Sequence, residues 1–302
     1  MRRWMAGAAV AAALLAGGAA AESVRITGEF PARYREASML RSLSVGRISG
    51  EDGHALALAI ERALANTHFD VLAGRGGDAE GRLDGAVTTG VQETSFKKTE
   101  KKCAEKDDNG KCTKEEEVEL RCRRRVINVN ADLRVVRAED SRIVYASAKP
   151  FRDETSWCEG ESPYRTVEET VSAALGDMAG QVRLDIAPYV STYSVRFRES
   201  TKGMPKDVAK AFKAIVKQSQ RDLAGACAGW EAMARTAPAH ASVQFDLGLC
   251  AEQRGDYDGA LALYRQAAAL IGGDGDEARV GAERASRLIA GRADAAERAR
   301  RG

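Results

Sequence analysis

Two stretches of this chain repeat each other at a fixed distance, and the repetition confines its C-terminal part to a helical array. Asp222-Leu-Ala-Gly-Ala-Cys-Ala-Gly-Trp230 aligns with Asp256-Tyr-Asp-Gly-Ala-Leu-Ala-Leu-Tyr264, 34 residues later. Periods of about 20–50 residues mark stacked supersecondary units, none of which can bury its apolar face alone. The second copy, 241–274, is the fuller. Leu247-Gly248 lets two helices approach because glycine has no side chain to hold them apart. Gly255-Asp256-Tyr257 makes the turn, and Ala260, Tyr264 and Ala267 set small, aromatic and small positions on one helical face. The first copy, 207–240, supplies Ala214, Ala226, Trp230, Met233 and a terminal Pro238, behind a polar, Lys-rich first helix. A third unit begins near Gly275 with one helix, Asp276 to Arg298, whose growing polarity suits a capping helix.

The first 21 residues read as a secretory signal peptide. Arg2 and Arg3 precede the apolar run Met5–Leu15, and Ala19-Ala20-Ala21 offers a small-residue cleavage site before Glu22. Without Arg2 and Arg3, 44 basic residues face 44 acidic ones, a balance that argues against nucleic acid as partner. Heavy use of Ala, Gly and Arg matches a GC-rich bacterium, so the expected compartment is the periplasm.

Six cysteines in an exported chain favour disulfides. Val118–Val136 and Arg142–Phe151 read as strands around the turn Ala138-Glu139-Asp140-Ser141. That hairpin sets opposite each other residues whose numbers sum to 279 or 280, which pairs Cys122 with Cys158. Cys103 and Cys112 bracket Asp107-Asp108-Asn109-Gly110, and Asn-Gly is a strong hairpin signal. Cys227 and Cys250 fall on neighbouring helices of the array and make the third expected pair. No Cys-x-x-Cys occurs and no His lies near a Cys, so no zinc site is expected.

Residues 22–200 read as an α+β domain, 201–206 as a linker and 207–302 as the helical module. Strands are expected at Val24–Phe30, Leu40–Ile48, Phe69–Leu72, from Leu83 into the charged hairpin and back to Val136, and at Arg142–Phe151, with a last one over Thr192–Phe197. Two main helices, through Leu56–Asn66 and Thr166–Ile186, pack on a mostly antiparallel sheet.

The helical part resembles the tetratricopeptide-repeat family through Leu247-Gly248, Tyr257, Ala260, Tyr264 and Ala267. It departs from that pattern at Gln244, Ala251 and Gly272. The resemblance implies a docking module whose concave face, built by the first helices, would present Lys210, Lys213, Lys217, Gln244 and Asp246 to a protein or peptide. Leu133-Arg-Val-Val-Arg-Ala-Glu-Asp-Ser-Arg-Ile-Val-Tyr145 is similar to a strand–turn–strand of curli-secretion and penicillin-binding-protein-activator domains, which serve bacterial envelope assembly. The lipid-bearing Cys of curli-secretion pores is missing. The hairpin between Lys97 and Arg125 carries 11 basic and 8 acidic residues, so it belongs in water and pore formation is not implied.

Other chemistry is thinly marked. Glu105-x-Asp107-x-Asn109-Gly110 followed by Glu116 approaches a calcium-loop spacing, but it starts with Glu and lies in a stapled turn. His54, His68 and His240 have no assignable nucleophile or carboxylate. Arg121-Cys122-Arg123-Arg124-Arg125 suits cross-strand pairing with the preceding glutamates better than anion binding. Gly74–Gly81 lacks the Lys-Ser/Thr of a phosphate loop. The expectation is a non-catalytic periplasmic scaffold without cofactor or metal, docking another envelope protein. The alternatives are a hydrolase whose site assembles only in three dimensions, or a small-ligand-binding domain.

Overall fold

The computed structural model describes residues 22–72, 78–236, 239–272 and 276–301. The expected signal peptide, most of the Gly-rich loop and Pro238 lie outside them. The chain is α+β and divides into two compact units, Met1–Gly28 with Ser191–Ile289, and Glu29–Val190 with Ala290–Gly302.

In the second unit, β2 (Ser42–Ser49), β3 (Asp70–Leu72), β4 (Gly81–Lys106), β5 (Cys112–Arg137) and β6 (Ile143–Cys158) form one sheet in the order β3-β2-β4-β5-β6. β4, β5 and β6 are antiparallel. β2 runs parallel to both β3 and β4, a mixed pairing that strand periodicity could not reveal. The β5–β6 register pairs Cys122 with Cys158 and Val135 with Tyr145, as the turn arithmetic required. A short α1 (Arg35–Ser38) precedes β2. Helices α2 (Gly53–Leu64) and α3 (Val167–Ile186) cover one face, where Leu56, Ile60 and Leu64 meet Leu83, Ile127, Val129, Leu133 and Val135 in a closed core. Thr166 starts α3 through a reciprocal capping box with Glu169.

The first unit is helical: α4 (Lys206–Gln218), α5 (Leu223–Thr236), α6 (Ala241–Gln253), α7 (Tyr257–Ile271) and the start of α8 (Asp276–Arg301). β1 (Ser23–Phe30) and β7 (Tyr189–Arg196) pair as a two-stranded sheet, and Val24, Ile26 and Phe197 join this unit's core. α6 is buried from Ser242 through Glu252, which makes it the central helix of the unit.

Candidate functional site

The helical unit turns on Tyr264, which is fully buried. A Cβ added at Gly248 on α6 would come within 2.7 Å of its ring, and one at Gly281 on α8 within 2.9 Å. Both glycines are therefore held by close packing. The Tyr264 hydroxyl donates to Glu252 Oε2. Glu252 also accepts from Arg284 Nε (2.5 Å) and Nη2 (2.7 Å) and from the Tyr193 hydroxyl (2.6 Å). Burial alone would lower the Arg284 pKa, but the hydrogen bonds and charge of Glu252 outweigh it and raise it. Burial and Glu252 raise both tyrosines as well. The result is a closed structural clamp. Gly281 and Arg284 lie on the expected capping helix, where the growing polarity of the sequence conceals their packing role. The small-residue spacing Ala278, Gly281, Ala285, Leu288 was the signal for its buried face.

Of the expected repeat core, Ala226, Trp230, Ala260, Tyr264 and Ala267 are fully buried and Leu247 nearly so, while Tyr257 is half-buried. Trp230 packs on Phe197, ring centroids 4.8 Å apart. Cys227 and Cys250 are bonded, as are Cys103 with Cys112 and Cys122 with Cys158. Three disulfides belong to a chain that matures in an oxidising compartment such as the cell envelope. The proposed groove divides. Lys210, Lys213 and Lys217 are exposed on α4, but Gln244 and Asp246 are 6% and 0% exposed and present nothing to a partner. α6 lies within the unit rather than along its rim, so polarity there marks internal pairing. Asp246 Oδ1 accepts from the Arg198 backbone N–H at 2.8 Å, while Oδ2 has no partner. Burial raises its pKa well above the ordinary value, against the pull of Arg198.

The sheet unit commits its buried carboxylate in the same manner. Asp185 accepts from Lys149 Nζ (2.5 Å) and the Tyr145 hydroxyl (3.1 Å). Asp294, near the end of α8, takes Arg35 at 2.7 Å. The histidines serve packing and capping. His240 Nδ1 accepts from Ser242 N at 3.2 Å and begins α6, and His54 sits exposed in the first turn of α2. His68 stacks on Phe69, with burial and then the charge of Arg298 lowering its pKa to about 4. Arg125 is buried with its guanidinium over Trp157, one nitrogen donating to the Arg165 carbonyl, while Arg124 lies over Phe96. Among the described residues no group of three or more His, Cys, Asp or Glu could hold a metal ion, and no helix is long and apolar enough to cross a membrane.

What the sheet unit does present is the outer hairpin. Beyond the Cys122–Cys158 rung, β4 and β5 continue alone from Lys97 and Arg121 to the turn at Asp107–Gly110. Asp107 Oδ1 accepts from Asn109 N (3.0 Å) and Lys111 N (2.9 Å), and Gly110 takes the positive φ of 81° that the turn needs. Nearly every side chain of this ribbon is exposed. At its base, a cleft of about 660 Å³ is lined by Phe96, Arg121, Arg123, Trp157 and the disulfide.

No family model and no curated protein matches the chain. Among solved structures it is similar to a protein described as a lipoprotein from Caulobacter crescentus CB15, at 15% identity over 51% of this chain and 91% of that one, with a TM-score of 0.28. A PelC dodecamer from Paraburkholderia phytofirmans gives 13% identity over 53% and 96%, with a TM-score of 0.25. A minor lipoprotein from Acinetobacter baumannii gives 10% over 48% and 90%, also at 0.25. Likenesses this distant carry no argument about the site, which rests on this chain's own residues.

Proposed function

We propose that the chain is a non-catalytic docking protein of the bacterial cell envelope, exported to the periplasm with cleavage after Ala21. It holds a protein partner through the outer β4–β5 ribbon and the tetratricopeptide-like helical unit. The observation that carries this reading is the ribbon. Fixing one residue's backbone opposes folding by roughly 1–2 kcal/mol. About twenty-five ribbon residues, 97–121, are ordered here with almost no apolar burial, held by a disulfide at the tip and another at the base. Its unpaired strand edges offer a ready surface for another chain. Two of the buried carboxylates support a non-catalytic role, since Asp185 is engaged by the buried Lys149 and Glu252 by the largely buried Arg284.

The test is site-specific photo-cross-linking in the envelope from Thr99 or Val118. The ribbon shortened at the Lys97–Arg121 rung and closed with Asn-Gly serves as control. The expected result is one discrete adduct with an envelope protein, lost in the shortened chain while its melting transition is kept. Absence of any adduct from either position would overturn the reading.

A further inference from the structure

Among the described residues, α4 carries a row of lysines that no carboxylate pairs. Lys206, Lys210, Lys213 and Lys217 follow one another along α4 at i, i+4, i+7 and i+11. On a helix that spacing draws a single line, about 16 Å long. All four are exposed, and the helix buries Phe212 and Val216 on another side. Among the described residues none of the four stands in an ion pair. On the ribbon, by contrast, four of the seven lysines, Lys97, Lys98, Lys101 and Lys114, each have a glutamate within 4 Å. Lys202 and Arg221, also exposed, extend the basic run in sequence at either end of the helix.

We propose that this row is a membrane-contact surface that binds the anionic headgroups of a phospholipid bilayer. Two features favour lipid over a protein occupant. The exposed residues between the lysines are Asp207, Ala211 and Ala214, so nothing aromatic or large is offered to a partner's pocket. Lysine is depleted from protein–protein interface cores, which are anchored instead by aromatic residues and arginine. A row of flexible, hydrated ammonium groups is suited to a diffuse sheet of negative charge, to which each contributes a similar increment. The mature chain as a whole offers no net attraction to such a surface, because its 44 basic and 44 acidic residues balance only with these four lysines included. This contact does not depend on the ribbon's docking role, and either can fail without the other.

The test is flotation of the full-length mature protein with phosphatidylcholine vesicles, with and without phosphatidylglycerol. The protein should bind only the phosphatidylglycerol vesicles and be released by salt. The K210Q/K213Q/K217Q variant should lose about a hundredfold in partitioning, with an unchanged melting transition. The matching Lys→Arg variant should retain binding. Equal binding to both vesicle types, no binding to either, or full binding by the Gln variant would overturn the proposal. Should vesicle binding be absent while the Gln variant loses a cross-linked acidic envelope protein, the row is a protein contact instead.

Discussion

The inner and outer halves of the β4–β5 hairpin share one backbone ladder and differ in almost everything else. Between Gly81 and Val87 on β4, and between Cys122 and Arg137 on β5, alternate residues such as Leu83, Val87, Ile127 and Val129 are buried beneath α2 and α3. Beyond Lys97 and Arg121 the same pairing continues, yet both faces are charged and wet. Strand pairing can therefore be prolonged without a core, but the prolonged part adds little free energy of its own, because its hydrogen bonds exchange with water. Covalent links then do what apolar burial does further in. Substitutions in the inner half should be felt by the whole sheet unit, and substitutions in the outer half only locally.

The largest effect should come from Ile127→Ala. The side chain is fully buried at the centre of the sheet's covered face, and a cavity there should cost about 2–5 kcal/mol. Chemical denaturation should register the loss, and hydrogen exchange should find it shared by β2, β5 and α3. A loss confined to β5 would show that the sheet unit does not unfold as one.

A smaller effect should come from a charge placed in a core, where the ribbon places its charges in water. Asp246 has one donor and complete burial. Its pKa is raised above the ordinary 3.8, so the folded state holds the proton more tightly than the unfolded chain does. Its contribution is fully present below pH 3.8 and is lost as pH rises through the folded value. Asp246→Asn should accordingly stabilise the protein at neutral pH by about 1–2 kcal/mol, with the gain shrinking as pH falls below the folded pKa. Thermal melts across that range check it. A destabilised Asn variant at neutral pH would mean that Arg198 holds the charge favourably.

The two halves also differ in what their residues disclosed. The β5–β6 register followed from one turn and one pair of cysteines, because side-chain period and turn position are local facts. The tip followed from Asn109-Gly110. The helical repeat was legible through Tyr264 and Gly248, since aromatic and missing side chains at fixed spacing imply a close crossing. Partners far apart in sequence were not legible. Nothing in β2 announces that it runs parallel to β4, and nothing in Asp246 announces the Arg198 amide. Periodicity says which face is buried, not what covers it. Gln244 and Asp246 on α6 read as groove residues for that reason, although both are buried within the unit.

The smallest effect, and the one that most directly separates the two halves, concerns Lys97 and Glu119. They form a 2.7 Å ion pair on the ribbon, with side chains 67% and 58% exposed. Water screens such a pair and holding two long side chains in place opposes it, so a double-mutant cycle to alanine should give a coupling of about 0.2–1 kcal/mol. That coupling should shrink further in high salt. Hydrogen exchange should speed up only at ribbon amides near Thr99, leaving Ile127 protected, because opening this segment exposes almost no apolar surface. A coupling as large as that of a buried pair, about 3–5 kcal/mol, or exchange that spreads into the covered strands, would mean that the outer ribbon is folded cooperatively with the core. Its independence as a docking arm would then be lost.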